Sequence, residues 1–393
     1  MRADPLTFLS DELDNLRQQG FYRKLRVLDG EQQAHATFDR KSVVNLSSNN
    51  YLGLTTHPKL REAAVDAVKR YGVGSGSVRT IAGTMELHME LERRLAAFKK
   101  VEAVVVFQSG FAANAGTVSA ILTKEDAIVS DELNHASIID GARLSRATIK
   151  VFPHKDADAA RRILKELPAT QRKLVITDGV FSMDGDLGPL PDLCAVAEEF
   201  GAIMMVDDAH ASGVFGKQGR GTVDHFGCHG RVDIQVGTLS KAMGALGGYV
   251  AGTKDFIDFL YHRARPFLFS TSHPPAVAAA CLAALDVLET EPQWMDRLWE
   301  NTRFFKSGLK SLGFNTGASE SPITPVIVGD THKAMSMSDK LFEYGVFAQG
   351  IGFPTVARDK ARLRTIVEAT HSREDLQYAL DMFGKVGKEL GVL

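Results

Sequence analysis

The chain has 393 residues, 44% of them hydrophobic and 24% charged, which suffices for a large core in two domains or in one domain with a smaller appendage. Its formal net charge of -2 and the lack of a basic block argue against nucleic acid or an acidic membrane surface as a partner. Three scattered cysteines are too few for a disulfide framework, and no apolar run is long enough for a signal peptide or a membrane span, so we expect a cytoplasmic protein.

The first hundred residues contain two helical patterns. Leucine and phenylalanine recur at helical spacing over residues 8–16, which predicts an amphipathic amino-terminal arm. A second such pattern covers residues 87–98, carries charges on its opposite face and leads into an apolar strand at residues 103–107.

Short apolar runs then alternate with stretches that can form helices. These runs cover residues 127–129, 149–152, 174–177, 203–206 and 234–236. Their alternation favours a mainly parallel sheet with helices on both faces, and in such sheets ligands bind beyond the carboxyl ends of the strands. We therefore expect the functional residues directly after these runs.

The pattern changes after about residue 267. A segment rich in serine, threonine and proline is followed by an alanine-rich helix and then by a mixed region. We predict an amino-terminal arm over residues 1–48, a large domain over 49–291 and a small carboxyl-terminal domain over 292–393.

One lysine follows the last of these strands. Thr238, Leu239, Ser240 and Lys241 come after the apolar run and before a stretch of small residues. A free lysine has a pKa of about 10.4 and is protonated near neutrality, and condensation with an aldehyde cofactor removes that obstacle to amine catalysis. Most lysines are surface charges, so this motif is weak evidence when taken alone.

Four other positions carry side chains or backbone suited to a cofactor site. Gly110, between a strand and a helix, can offer N–H groups to a phosphate or serve only a tight turn. Asp207 can hold a pyridine nitrogen protonated or bind a metal, whereas Asp208 suits a helix cap. His135 can stack on a planar ring or be structural. Arg364 can bind a carboxylate or form a surface ion pair.

Two other kinds of site are disfavoured. His225, Cys228 and His229 lie close together, but no second cluster supplies the other ligands of a closed metal site, so we expect no metal. The glycine-rich loops typical of nucleotide hydrolases and of dinucleotide-binding enzymes are absent from the sequence.

These motifs, in this order, resemble those of the fold-type I pyridoxal 5'-phosphate (PLP) enzymes, and specifically the α-oxoamine synthases. The matching segments are residues 49–54, 77–80, 83–84, 131–140, 177–185, 207–210 and 237–241, together with Arg364. The resemblance covers nearly the whole chain. It implies an α/β fold with a large, mainly parallel-sheet domain flanked by helices and a smaller α+β carboxyl-terminal domain.

The resemblance also implies roles for the matching residues. Lys241 would hold PLP as a Schiff base, Asp207 would pair with the ring nitrogen, and His135 would stack on the ring. The implied catalytic residues are Lys241, His135, Asp207 and His210. The implied PLP-binding residues are Gly110 and Phe111 with Thr238 at the phosphate, Ser182 and His210 at the ring hydroxyl, His135, Asp207, Lys241 and, from the other subunit of a homodimer with shared active sites, Ser270 and Thr271. The implied substrate-binding residues are Asn49 and Arg364 at the amino-acid carboxylate, with Thr355 and Arg23.

The implied reaction joins a small amino acid, glycine or alanine, to an acyl-CoA. Residues 76–84 and 265–270 look most similar to those of glycine C-acetyltransferases, also called 2-amino-3-ketobutyrate CoA ligases, so we expect glycine and acetyl-CoA as substrates and a role in threonine breakdown. The alternative is 8-amino-7-oxononanoate synthase, which uses alanine and pimeloyl-CoA for biotin, or one enzyme with both activities. Rival classes are an aminotransferase or lyase and a cofactor-binding scaffold without catalysis.

Overall fold

The computed structural model describes residues 4–19, 22 and 24–393 of the chain. Arg23, a predicted substrate contact, lies outside the described residues. Contacts divide the chain into a larger unit, Asn49–Trp299, and a smaller unit made of Met1–Ser48 and Glu300–Leu393. The predicted domain boundaries at 48/49 and 291/292 stay predictions.

The helices and strands are numbered here in chain order. The helices are α1 (Phe8–Gln18), α2 (Pro58–Tyr71), α3 (Glu86–Lys99), α4 (Gly110–Ile121), α5 (Ala136–Ser145), α6 (Ala157–Glu166), α7 (Leu190–Glu199), α8 (Thr222–His225), α9 (Lys254–Arg263), α10 (Arg265–Leu268), α11 (Pro275–Thr290), α12 (Gln293–Leu312), α13 (Thr331–Glu343) and α14 (Arg373–Glu389). The strands are β1 (His35–Phe38), β2 (Lys41–Asn45), β3 (Ala103–Phe107), β4 (Ala127–Asp131), β5 (Thr148–Phe152), β6 (Lys173–Asp178), β7 (Ile203–Asp207), β8 (Ile234–Thr238), β9 (Gly248–Gly252), β10 (Ile323–Gly329), β11 (Val346–Phe347), β12 (Gln349–Ile351) and β13 (Ala361–Ile366). Short 3-10 helices cover Leu54–Thr56 and Lys217–Gly219, and a π-helix covers Arg79–Gly83.

The larger unit contains a seven-stranded sheet in the order β3-β9-β8-β7-β6-β4-β5. The five strands from β8 to β5 are parallel, whereas β9 runs antiparallel to both of its neighbours. The prediction of a mainly parallel sheet is confirmed. The central strands read as continuous apolar runs because helices cover both faces, and every residue of β4, β6 and β8 is buried.

Two apolar clusters cover the faces of this sheet. On one face, Phe107 and Val236 pack with residues of α4, α5 and α9 such as Val118, Ile138 and Leu260. On the other face, residues of β4, β6 and β7 pack with α6 and α7. This packing fixes the strands, and with them the side chains at their carboxyl ends.

The described residues of the smaller unit form two three-stranded sheets, with strand orders β1-β2-β11 and β10-β13-β12. Its aromatic core includes Phe305, Phe314 and Phe383, whose rings meet edge to face. The predicted amino-terminal helix is α1, and none of its residues is buried. No helix among the described residues is both long enough and apolar enough to cross a membrane.

Candidate active site

Four strands of the large sheet end in polar side chains at the same edge. Asp131, Asp178, Asp207 and Thr238 are the last residues of β4, β6, β7 and β8. The register places Asp178 directly opposite Asp207. Lys241 follows the end of β8 by three residues. Parallel packing therefore brings Asp207, Thr238 and Lys241, three of the predicted cofactor residues, to the same edge of the sheet, where open α/β sheets bind ligands.

Asp207 is held by two hydrogen bonds. Asn114 donates from Nδ2 to one carboxylate oxygen at 2.6 Å, and the Ala209 N–H donates to the other at 2.8 Å. Asp207 is only 3% exposed. These two donors fix the orientation of the carboxylate. Asp207 is therefore suited to face a cationic ring nitrogen.

Sequence reasoning missed Asn114. It lies one helical turn after Gly110 on α4, so the helix that begins at the predicted phosphate site also carries the donor to Asp207. Its Nδ2 also lies 2.9 Å from the hydroxyl of Ser137. The spacing from Gly110 was the available signal, but an asparagine inside an alanine-rich helix has no distinctive local pattern.

His135 precedes α5 and is fixed through both backbone and ring. Its N–H donates to Asp178 at 2.8 Å, and its Nδ1 accepts the N–H of Ser137 at 3.2 Å. Burial lowers the pKa of His135, the Asp207 carboxylate opposes this shift, and the Lys241 cation adds to it. The imidazole is therefore neutral near pH 7, which suits stacking on a ring.

The neighbouring Asp178 has a pKa well above that of an ordinary surface carboxyl group. Burial raises its pKa well above the usual value, and the negative charge of Asp207 adds to the rise. The His135 N–H bond and the charge of Lys241 oppose it. The charges of Asp207 and Lys241 therefore influence the pKa values of both Asp178 and His135.

His210 and Ser182 lie on two other loops of the larger unit. The hydroxyl of Tyr51 and Nδ1 of His210 are 2.7 Å apart, and Tyr51 is fully buried. Ser182 sits in a tight turn that is closed by the Phe181 N–H bond to the Asp186 carbonyl at 3.0 Å. The structure therefore fixes the His210 ring through Tyr51, a residue that the sequence motifs included without assigning a role.

The start of α4 lies against the end of β8. Ser109 caps the helix by accepting the Ala112 N–H at 3.0 Å. A Cβ added at Gly110 would lie 3.7 Å from the Cβ of Thr238, which shows how closely these two residues approach. A Cβ on Gly248 would collide with the Ser109 carbonyl oxygen. This is a helix amino terminus with a nearby hydroxyl, an arrangement that suits a phosphate group.

The remaining predicted residues have these places. Phe111 is 48% exposed on the first turn of α4. Thr271 accepts a hydrogen bond from Gln108 at its carbonyl at 2.7 Å, and Ser270 precedes it. Asn49 is the first residue of the larger unit. Arg364 on β13 and Thr355 belong to the smaller unit. Across the described ranges, no group of three or more histidines, cysteines or carboxylates is placed to hold a metal.

A family model described as "Aminotransferase class I and II" matches residues 41–383. The 8-amino-7-oxononanoate synthase of Symbiobacterium thermophilum is 60% identical to this chain over 387 residues, covering 98% of this chain and 99% of the relative. The 8-amino-7-oxononanoate synthase 1 of Bacillus subtilis is 55% identical, covering 98% of each chain. A solved serine palmitoyltransferase from S. paucimobilis with bound PLP superposes with a TM-score of 0.94, at 32% identity, covering 99% of this chain and 100% of that one.

This chain belongs to the class I and II aminotransferases and, within them, to the α-oxoamine synthases. The predicted family is confirmed, as is the fold-type I architecture. The cofactor is PLP, also as predicted. The residues present suit PLP. The strand ends carry a carboxylate, a neutral imidazole and an amine, groups whose chemistry would suit its ring nitrogen, ring face and aldehyde. The start of α4 is a helix amino terminus, which would suit its phosphate.

The predicted subfamily was wrong. We expected a glycine C-acetyltransferase with a role in threonine breakdown, but the relatives at 55–60% identity are 8-amino-7-oxononanoate synthases. The similarity of residues 76–84 to glycine C-acetyltransferases did not identify the subfamily, because residues of this segment have structural roles in the fold. Arg79 is buried in a two-bond pair with Glu92 at 2.8 and 2.9 Å, and a Cβ at Gly83 would collide with the Ser77 carbonyl. Such requirements say nothing about which acyl group is bound.

Proposed function

We propose that this protein is an 8-amino-7-oxononanoate synthase, which joins alanine to pimeloyl-CoA with release of CoA and CO₂ in biotin synthesis. The observation that carries the proposal is the identity of 54–60% to curated synthases of that name over about 98% of the chain. The new bond joins the alanine Cα to the thioester carbonyl carbon. The carbon–sulfur bond breaks, CoA leaves as the thiol, and the alanine carboxylate leaves as CO₂.

When bound, PLP supplies an electron sink for negative charge at the alanine Cα. In our proposal the Lys241 amine takes the proton from that Cα. Asp207 keeps a proton on the ring nitrogen, and its bonds from Asn114 and Ala209 hold the carboxylate in position for this. His135, neutral because burial lowers its pKa, covers the ring face without adding a positive charge.

The other binding roles follow the same scheme. We propose that Ser182 and His210 contact the ring hydroxyl, His210 being oriented by its bond with Tyr51. Gly110, Phe111 and Thr238 would hold the phosphate. This scheme is supported by the shared sheet edge and by the approach of Gly110 to Thr238.

The substrate and subunit roles rest on the family alone. We propose that Asn49 and Arg364 bind the alanine carboxylate, with Thr355 and Arg23 as further contacts. We also propose a cytoplasmic homodimer in which Ser270 and Thr271 reach the phosphate of the other subunit. Gel filtration with light scattering would test the dimer.

One assay separates the candidate activities. The PLP-loaded protein is incubated with alanine and pimeloyl-CoA, with glycine and acetyl-CoA, and with alanine and an oxo acid. Thiol release and product mass are followed. We expect the first pair to give thiol, CO₂ and the aminoketone fastest. Aminoketone from neither CoA pair would reject the acyltransferase, and oxo-acid-dependent transamination without a CoA requirement would favour an aminotransferase.

A further inference from the structure

A histidine outside the predicted site lies between two carboxylates. His154 follows β5, and its Nδ1 is 3.1 Å from Oδ1 of Asp131, while its Nε2 is 2.9 Å from Oδ2 of Asp186. Its ring also packs edge-on against Phe181, with centroids 4.3 Å apart. The side chain is 21% exposed, so these contacts are largely shielded from water.

Both ring nitrogens of His154 face acceptors. A neutral imidazole has one N–H, whereas an ionised carboxylate can only accept, so both bonds can form together only if the imidazole is protonated. Charge-assisted bonds of this kind are stronger than bonds between neutral groups. His154 therefore acts as a cationic link between Asp131 and Asp186.

Asp131 and Asp186 lie in the turns that carry two proposed ring contacts, His135 and Ser182. Asp131 also accepts the N–H of Leu133 at 2.9 Å, in the turn that leads to His135. The Asp186 carbonyl accepts the Phe181 N–H at 3.0 Å and so closes the turn that contains Ser182. The link through His154 thus joins one turn to the other.

We propose that protonated His154 is a positioning residue for the PLP site, which fixes the turn before His135 relative to the turn that carries Ser182. The inference rests on the proposed roles of His135 and Ser182 and is independent of the acyl-CoA substrate. His154 itself has no proposed contact with PLP or with substrate.

The link has a defined pH range. Burial lowers the pKa of His154, but its hydrogen bonds to Asp131 and Asp186 and their charges outweigh burial and raise the pKa to about 9. Glu132 accepts the His154 backbone N–H at 2.9 Å, and the Lys155 ammonium lies 3.3 Å from Asp186. The pKa of His154 in the folded protein lies above the ordinary value of 6.5. The stabilisation that the protonated His154 link gives to the folded protein is therefore complete below about pH 6.5 and is lost as pH rises through 9.

The test compares His154→Gln with a matched control, His229→Gln. His229 also pairs with a carboxylate, Asp224, at 2.9 Å, but that pair lies at neither turn. Each variant is reconstituted with PLP, and PLP affinity and the visible circular dichroism of bound PLP are followed from pH 7 to 10. We expect His154→Gln to bind PLP roughly tenfold more weakly at pH 7, with altered dichroism and without the wild-type change near pH 9. We expect His229→Gln to match the wild type.

Wild-type PLP affinity and an unchanged pH profile in His154→Gln would overturn the proposal. So would a fall in melting temperature with unaltered dichroism of bound PLP, since that would indicate a purely structural residue. If the variant does not fold, hydrogen–deuterium exchange at C2 of the imidazole in the wild-type protein decides the matter. A midpoint near 9 for the His154 peptide supports the link, and one near 6.5 refutes it. None of these readouts requires turnover, so a failed synthase assay would remain a separate result.

Discussion

The pair formed by Lys99 and Asp208 offers a quantitative test of how the loop after Asp207 is held. The two side chains are 3.1 Å apart and 1% and 0% exposed, and Thr222 donates to the same carboxylate from its N–H and hydroxyl. Lys99→Met keeps the apolar stem and removes the charge. Loss of one partner of a buried pair costs about 3–5 kcal/mol, because the other charge remains buried.

We expect a loss near the lower end of that range, about 3 kcal/mol, since Asp208 keeps its donors from Thr222. Urea unfolding at pH 7.5, followed by circular dichroism, measures the change. The neighbouring Lys100 is the matched control. It pairs with Asp224 at 2.7 Å, but its side chain is 49% exposed, so Lys100→Met should cost at most about 1 kcal/mol. If both variants lost the same free energy of unfolding, burial would not be what makes the Lys99–Asp208 pair more costly to break than the Lys100–Asp224 pair.

Three further predictions concern the cofactor site and its surroundings. Lys241→Ala should abolish turnover while PLP still binds through its phosphate contacts; unchanged turnover would reject the assignment. Gly248→Ala should lower the free energy of unfolding by at least about 2 kcal/mol and weaken PLP binding, because the new methyl group meets the Ser109 carbonyl. Gly74→Ala is the control: Gly74 has open space around it, so its substitution should change the free energy of unfolding in urea little. Burial raises the pKa of Glu368 from 4.5 to about 8, so the stability of the wild-type protein should fall as pH rises from about 4.5 to 8. Glu368→Gln should flatten the plot of melting temperature against pH over that range. An equally steep plot for the variant would contradict the raised pKa.

The buried strands were the most predictable part of the fold. The run 103–107 coincides with β3, and the run 203–206 lacks only the last residue of β7. Strands covered on both faces have continuous apolar sequences, so they stand out without an alignment. The antiparallel strand β9 was missed because it begins and ends with glycine and looks like a loop. The structure gives the reason for these glycines: a Cβ on Gly252 would lie 2.8 Å from the ring of Phe256.

The candidate site was predictable where function depends on strand ends. Asp207 directly follows an apolar run, and Lys241 lies three residues after the end of β8. The strand pattern drew attention to both positions, but the roles proposed for them came from the resemblance to a known family. Two supporting contacts were not predictable, because the Tyr51–His210 bond joins residues 159 positions apart and the Asn114–Asp207 bond joins residues 93 apart. Such pairs depend on the tertiary packing of the sheet and its helices, which no short motif encodes.

Lys241 is the amine on which the proposed chemistry depends. Reduction of the PLP-loaded protein with sodium borohydride would fix the cofactor to the amine that holds it, and peptide mass spectrometry would then locate the modified lysine. We predict a single phosphopyridoxyl group on the peptide that contains Lys241. Modification of a different lysine, or no modification of protein that demonstrably binds PLP, would contradict this assignment.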